Sequence, residues 1–406
     1  MQKDRNRMKF AIPATWQDDF LPAVRKTATG LEIYGKLNSD FFGGSKPSFQ
    51  LPRISRKKFE RSLAAIHQAG FKFNYLLDST CIDNLEWTIG GQRKIRLFLD
   101  WLSDIGIDVV TVAVPYLLAM IKSRYPGLRV SVSVLAGVNS IVSAKYWENF
   151  GADRITLLNT DVNRDFALLR KIRETVDCEL RLIANSSCLY RCPFYLYRGN
   201  MSSHSSQANH RLQGFSVDYC RLSCRYRQIV NPVEFIRSPW IRPEDVGRYE
   251  KLGIDSLELA DCGLSTACVL SILRAYLERK YDGNLADLFP APSKPLSFGR
   301  ISLLRLSRYF SFLDLINIAK GRGRELALAE PEVYIDNRKL EGFLDFFENN
   351  DCNTRDCRTC GYCAEISRRV LKIEPASIKN ASGSYRRYLE KIFSGSFFED
   401  TLAGGA

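Results

Sequence analysis

Histidine is scarce in this chain of 406 residues: there are three, at positions 67, 204 and 210. No Gly-x-Ser-x-Gly, His-Glu-x-x-His or phosphate-binding loop occurs. The signature motifs of the common serine, zinc and phosphate-loop hydrolases are therefore excluded. No apolar run approaches the ~18 residues that a membrane-spanning helix requires. Residues 1–9 are basic, but no apolar stretch follows them, which is not the pattern of a secretory signal. The expectation is a cytoplasmic protein. Disulfides are disfavoured in that reducing compartment, and the 12 cysteines become candidates for metal ligation.

Eight of those cysteines fall into two groups with ligand spacing. The first is Cys188-x3-Cys192 together with Cys220-x3-Cys224; the second is Cys352-x4-Cys357-x2-Cys360-x2-Cys363. Four thiolates select an iron–sulfur cluster or zinc. At the first group the spacing lacks the Cys-x2-Cys knuckle of common zinc sites, which favours a cluster. Structural zinc and unliganded thiols are the alternatives. The string Cys188-Leu-Tyr-Arg-Cys192-Pro-Phe-Tyr195 comes close to the radical SAM triplet, but Tyr195 stands where the third cysteine should be. At the second group, Cys-x2-Cys-x2-Cys wraps three thiolates round one cluster face, as in bacterial ferredoxins, and Cys352 supplies a fourth from upstream. Gly361 is expected to let the backbone approach the sulfurs, and Arg355, Arg358, Arg368 and Arg369 to offset their charge. Structural zinc is again the alternative.

Strand-like and helical runs alternate through the first 265 residues. Eight strand candidates cover 10–14, 31–37, 71–78, 109–115, 130–136, 154–159, 179–184 and 255–261; they are rich in Val, Ile and Leu, as a sheet buried on both faces requires. Helices are expected at 59–69, 92–105, 143–150 and 264–281. Eight consecutive βα units read as an α/β fold, a TIM-like (β/α)8 barrel over 8–285, with a doubly wound sheet as the alternative. One connection, 185–254, is abnormally long; its part 185–240 is a Cys-rich insertion at the end of the seventh strand, where barrel enzymes build their sites. Pro290, Pro292 and Pro295 mark a linker over 286–300. Beyond it, 301–406 reads as a mainly helical C-terminal domain holding the second cysteine group, with helices at 301–320, 340–347, 364–372 and 385–393.

The net charge is +13, and short basic runs at 53–58, 221–227 and 386–387 suit anionic substrates or RNA as well as ordinary solvated surface. Asp261, Asn185, Asn159, Asn139 and Asp78 lie at or just beyond strand ends, so a barrel would turn them to its mouth. The alternative is caps and turns. Among the insertion residues, His204 is a candidate proton donor or cluster neighbour, with His210 beside it, against the alternative of solvated loop histidines. Arg225 and Arg237 are candidates for binding a carboxylate or compensating thiolate charge. The candidate catalytic set is Asp261, His204, Arg225 and Asn185. His67 and the unspaced Cys81, Cys178, Cys262 and Cys268 read as structural, with Cys262 the one to watch because it follows the last strand.

Several stretches carry a resemblance. Glu179-Leu-Arg-Leu-Ile-Ala-Asn-Ser-Ser-Cys188, Asp218-Tyr-Cys220-Arg-Leu-Ser-Cys224-Arg-Tyr226, Ser238-Pro-Trp-Ile-Arg-Pro-Glu-Asp245 and Gly253-Ile-Asp-Ser-Leu-Glu-Leu259 resemble, in this order, the U-32 peptidase family, also called collagenase-like proteases. The stretch Ala144-Lys-Tyr-Trp-Glu-Asn-Phe-Gly-Ala-Asp-Arg-Ile155 resembles the family's sixth-strand region. The resemblance covers about residues 8–285. It implies a TIM-like barrel, a 4Fe–4S cluster on Cys188, Cys192, Cys220 and Cys224, and, as in several members, support of oxygen-independent hydroxylation of quinone precursors or RNA bases, some with prephenate as hydroxyl source. The chain departs from the pattern at Asn185-Ser186-Ser187, at Val134-Leu135-Ala136 and at Ala260-Asp261-Cys262-Gly263. No better-known member's substrate is therefore carried over. The expected function is an iron–sulfur redox protein with two 4Fe–4S clusters, modifying a small molecule, peptide or RNA. It would be served by an electron-donor protein and a homologous partner subunit. The alternatives are a U-32-type peptidase with structural metal sites, zinc above all at the C-terminal group, or an RNA-binding modification subunit.

Overall fold

The computed structural model describes residues 8–208, 210, 217–259, 261, 263–289 and 328–396. The expected linker over 286–300 beyond residue 289, the helix at 301–320 and Cys262 lie outside the described residues. Eight parallel strands close into one barrel in chain order. They are β1 (Lys9–Pro13), β2 (Glu32–Gly35), β3 (Lys72–Leu77), β4 (Val109–Val112), β5 (Arg129–Val132), β6 (Arg154–Thr156), β7 (Glu179–Ile183) and β8 (Ser256–Glu258). Closure is made where Lys9 of β1 registers with Ser256 of β8. The expected TIM-like barrel is therefore what the chain forms, with each expected strand in place. Helices Arg56–Gln68, Ile89–Asp104, Ile141–Asn149 and Thr266–Glu278 stand where helical periodicity placed them. Several strands end earlier than expected, three of them at an identifiable turn. Pro115 starts helix Pro115–Arg124, where its missing N–H costs nothing; Val134–Ala136 turns as a 3₁₀ helix; and Asn159 opens a short helix.

The two faces of the barrel sheet are chemically unlike. On the outer face, Phe73 and Tyr75 of β3 meet Phe59 edge-on at 5.5 and 5.6 Å, and Phe59 lies 5.8 Å from Trp101. All but Trp101 are under 2% exposed, so an apolar aromatic layer seals helices onto the sheet. The lumen, expected to be apolar like the outside, is instead polar. Glu32 of β2 takes two hydrogen bonds from Arg154 of β6, at 2.8 and 2.7 Å, and one from Arg181 of β7 at 2.7 Å. Asn74 of β3 donates to Glu32 at 3.0 Å and accepts from Thr111 of β4 at 2.8 Å; Arg181 also donates to Ser256 of β8 at 3.0 Å. Six of the eight strands are thus cross-linked through one network. The sequence hides this because most outward-facing strand residues still read Val, Ile, Leu or Phe.

Residues 328–396 pack into the barrel rather than apart from it. Tyr334–Ile335 pairs antiparallel with Leu371–Lys372. Ile335, Phe343, Phe347, Ile366 and Val370 share one buried cluster with the barrel, where Phe343 stacks on Trp240 at 5.2 Å. The last helix runs from Pro375 to Phe393, ten residues earlier than the expected start at 385. Its polar stretch Asn380-Ala-Ser-Gly-Ser384 reads as loop, but Ala381 is fully buried in a cluster with Leu222 and Ile229 of helix Tyr219–Val230. Among the described residues no helix is long and apolar enough to cross a membrane.

Burial alone would raise the Glu179 carboxyl, but Lys9 and Arg154 hold it at about 2, below the ordinary 4.5. Glu32 is likewise held well below the usual range, its burial outweighed by Arg181 and Arg154. A depressed carboxyl stabilises the fold above its unfolded value and loses that contribution as pH falls. Thermal melts should therefore show stability lost between pH about 4.5 and about 2, with a flatter pH response in Glu179→Gln. Glu32→Ala, which removes the carboxylate that two buried guanidiniums share, should cost about 3–5 kcal/mol in a denaturant titration at neutral pH.

Candidate functional site at the barrel mouth

The C-terminal ends of the strands open into one cavity of about 320 Å³. Its floor includes Thr111, Thr156, Ile183 and Glu258, and its wall is the insertion after β7. All four cysteines of the first group line it. Cys188 and Cys192 sit on the loop leaving β7, in which Arg191 takes a left-handed φ of 50°. Cys220 and Cys224 lie one turn apart on helix Tyr219–Val230, so both side chains leave the same face. Asp218 caps that helix, accepting from Arg221 N at 3.0 Å, and its other oxygen takes Arg198 of helix Tyr195–Ser206 at 3.2 Å.

Burial pushes the Cys220 and Cys224 thiols up to about 12, and raises Cys192 as well. Asp218 foremost, with the Cys188 and Cys224 sulfurs, holds Arg198 above the ordinary arginine range. Arg198, Arg221 and Arg225 all line the cavity, so positive charge faces the sulfurs. A single tetrahedral zinc ion would draw four sulfurs to about 3.8 Å of one another, given Zn–S bonds of about 2.3 Å. Among the described residues no three cysteine sulfurs lie within 4.8 Å of one another.

The expected catalytic residues separate into three situations. Asp261 lines the cavity and pairs with Lys46. Asn185 lines it too but is fully buried and donates to Leu288 O at 2.9 Å, so it also ties the cavity wall to the chain beyond helix Thr266–Glu278. Arg225 lines it while its Nε bonds Glu330 at 2.8 Å. His204 lies outside the cavity lining, which places it away from the cysteine ring. Asp78 and Asn159 line the cavity, as expected of strand-end residues; Asn139 does not, and instead donates to Asp161 at 2.9 Å. Asn159 is 2% exposed and its Oδ1 has no hydrogen-bond partner.

Sequence reasoning missed Lys46, Arg198 and Glu258. Burial raises the Glu258 carboxyl against the opposing Arg181, 4.0 Å away, and raises Asp78 against Lys36. Glu258 was legible in principle as a charged residue at an inward register of β8. His67 is structural: its Nε2 meets Asp108 at 2.9 Å, and Asp108 also accepts from Phe73 N. Cys81, Cys178 and Cys268 are half-buried free thiols.

The second cysteine group gathers beside the insertion, against segments that follow β6 and β7. Cys352, Cys357 and Cys363 line a small cavity of about 40 Å³ with Arg164, Arg237 and Tyr190. Burial pushes Cys352 up to about 11, helped by the charges of Cys363, Cys357 and Cys360. The compensating guanidiniums are not those expected. Arg358 pairs with exposed Asp356 at 2.8 Å, Arg355 bonds Asn350, Arg369 bonds Lys339 O, and Arg368 is exposed. Arg164 and Arg237 face Cys363 instead. They come from distant segments, so no local pattern could disclose them. Gly361 takes a left-handed φ of 67° between Cys360 and Cys363. Arg237 thus belongs to this second site and not to the mouth. Tyr190, between Cys188 and Cys192 in sequence, touches the second cavity, so one loop borders both cysteine groups.

Residues 42–239 match the model of peptidase family U32. The match takes in the insertion and the first cysteine group and ends before the second. A relative named "Uncharacterized protease MJ1657", from Methanocaldococcus jannaschii, is 28% identical over 335 residues, covering 82% of this chain and 87% of that protein. The solved structure of the U32 peptidase Mk0906 is similar at a TM-score of 0.47 and 26% identity, over 62% of this chain and 92% of that one.

An acceptor buried without a partner costs stability unless something else bonds it. Asn159→Leu should therefore leave stability within about 1 kcal/mol of the wild type in a thermal melt, while weakening any ligand bound in the mouth.

Proposed function

We propose that this protein holds a 4Fe–4S cluster on Cys188, Cys192, Cys220 and Cys224. We further propose that it supports an oxygen-independent, hydroxylation-like modification of a small anionic molecule, a peptide side chain or an RNA base. The observation that carries the reading is that four cysteines from two separate segments open onto one cavity at the strand ends, where barrel enzymes work. Such a cluster supplies one-electron transfer when bound. The chain's own residues do the rest. Arg198, Arg221 and Arg225 balance the thiolate charge. Lys46 holds Asp261 at the rim, and Asn159 offers its free Oδ1 to orient a bound group. Asp78 and Glu258, both raised by burial, are suited to hold a proton and pass it on. Cys352, Cys357, Cys360 and Cys363 would hold a second cluster receiving electrons from a donor protein. The loop carrying Tyr190 borders both groups.

The cavity of about 320 Å³ admits one base, one side chain or one small acid. Of the basic run at 221–227, Arg225 is paired with Glu330 and Arg221 lines the cavity, which leaves Arg227 as its exposed guanidinium. A small substrate is favoured over docking of a nucleic-acid backbone on this run.

A hydrolytic reading is favoured by the protease name of the relative and by the two raised carboxyls, Asp78 and Glu258, in one cavity. The two readings separate on metal content. Protein purified without oxygen is expected to hold about eight iron and eight acid-labile sulfide per chain, as two 4Fe–4S clusters require. Cys188→Ser should lower both by about half. Zinc alone would overturn the redox reading, and peptide cleavage that survives Cys188→Ser would establish the hydrolytic one.

A further inference from the structure

Two of the chain's three histidines meet outside both cysteine sites. His204 lies in the last turn of helix Tyr195–Ser206, and His210 follows the turn after it. Their rings stand 4.8 Å apart, tilted by 32°. Asp83 joins them from the loop after β3, and one ligand atom of each of the three residues lies within 4.8 Å of the other two. His204 Nδ1 is buried with no hydrogen-bond partner. A buried imidazole nitrogen without a partner carries a desolvation penalty that a bound ligand would relieve.

The meeting is held in place by contacts independent of the three residues. Thr80 N donates to Ser203 Oγ at 2.9 Å, and Thr80 Oγ1 donates to Asn200 at 2.5 Å. Gln207 Nε2 donates to Cys81 O at 2.7 Å, and Ala208 N to Asp40 O at 2.6 Å. Gly43 completes the clamp: its φ is 75°, and a Cβ there would fall 2.3 Å from Ser203 O, so this seam closes only around glycine. The seam thus sets both histidines against the β3 loop before any ligand arrives.

We propose that Asp83, His204 and His210 form a binding site for a divalent first-row transition-metal ion, separate from the cysteine sites and tying the insertion to the loop after β3. Two imidazole nitrogens and one carboxylate oxygen suit Zn²⁺, Fe²⁺ or Co²⁺. They are a poor match for the all-oxygen shells of Mg²⁺ and Ca²⁺ and for the sulfur preference of Cu⁺. The Asp83 carboxylate partly neutralises the ion. Three protein ligands leave at least one coordination position open, as in zinc sites that keep a water or take a substrate atom. The ion would also fix the helix whose other turns present Tyr195, Arg198 and Gly199 to the mouth cavity.

The test is an anaerobic Co²⁺ titration of the full-length protein as purified, with its cysteine sites filled. One Co²⁺ should bind with visible ligand-field bands and without the near-ultraviolet sulfur-to-cobalt band that thiolate ligation produces. His204→Ala and His210→Ala should each weaken it by at least about tenfold, since even supporting residues around a metal cost that much. His210→Asn, on the loop, guards against misfolding of the helical variant, and an unchanged melt without metal shows that each variant is folded. Zn²⁺ should raise the melting temperature of the wild type and not of the histidine variants. Co²⁺ uptake unchanged by the histidine substitutions, a sulfur-to-cobalt band, or no uptake at millimolar Co²⁺ would each overturn the proposal.

Discussion

The barrel is organised around one buried carboxylate. Glu32 is held between Arg154 and Arg181, and these two guanidiniums reach on to Glu179, Ser256 and Glu258. An ion pair in the interior seldom stabilises a fold more than apolar packing would, because both charges lose their water. It does specify register. A one-residue slip of β2, β6 or β7 would turn a charge from the lumen to the aromatic layer outside. The closed parallel sheet is therefore pinned from within by charge and sealed from without by Phe59, Phe73, Tyr75 and their neighbours. The network lies below the mouth and shares Glu258 with it, so the same electrostatics that set the sheet also set the protonation of the cavity floor.

Above that floor, the insertion after β7 converts a strand end into a site. Its loop and its second helix each deliver two cysteines, and Asp218 holds them together by capping the helix that carries Cys220 and Cys224 while pairing with Arg198 of the helix before it. The chain beyond the barrel then braces the same helix from outside. Tyr385 bonds Glu330, Glu330 bonds Arg225, and Phe393 meets Tyr219 edge-on at 5.8 Å. The C-terminal segment is thus a second wall for the first cysteine group as well as the carrier of the second.

Much of this was legible in the order of residues. The eight strands and most of the helices follow from hydrophobic periodicity, because a (β/α)8 barrel repeats one local pattern and its connections are short. The two cysteine groups were visible because a ligand set must bring its sulfurs together, and short spacings do that locally. The residues around them were hidden for the opposite reason. Arg164 lies nearly 200 positions before Cys363, and Lys46 meets Asp261 across the barrel mouth. Nothing in the neighbourhood of either residue marks the pairing. The start of the last helix at Pro375 was hidden as well. Its Asn, Ser and Gly residues favour turns when solvated, and only the burial of Ala381 against Leu222 and Ile229 overrides that preference.

By itself, then, the sequence determined the repeat of strands and helices, the place of the long insertion, and which cysteines could act together. These are matters of period and spacing along the chain. The tertiary structure decided which charges share the lumen, which guanidiniums face the sulfurs, and that His204 and His210 meet Asp83 instead of the mouth. Those outcomes depend on closing the barrel. Closure brings together side chains more than 100 residues apart, and the distances between them are set by the curvature of the sheet and by no feature of the local sequence.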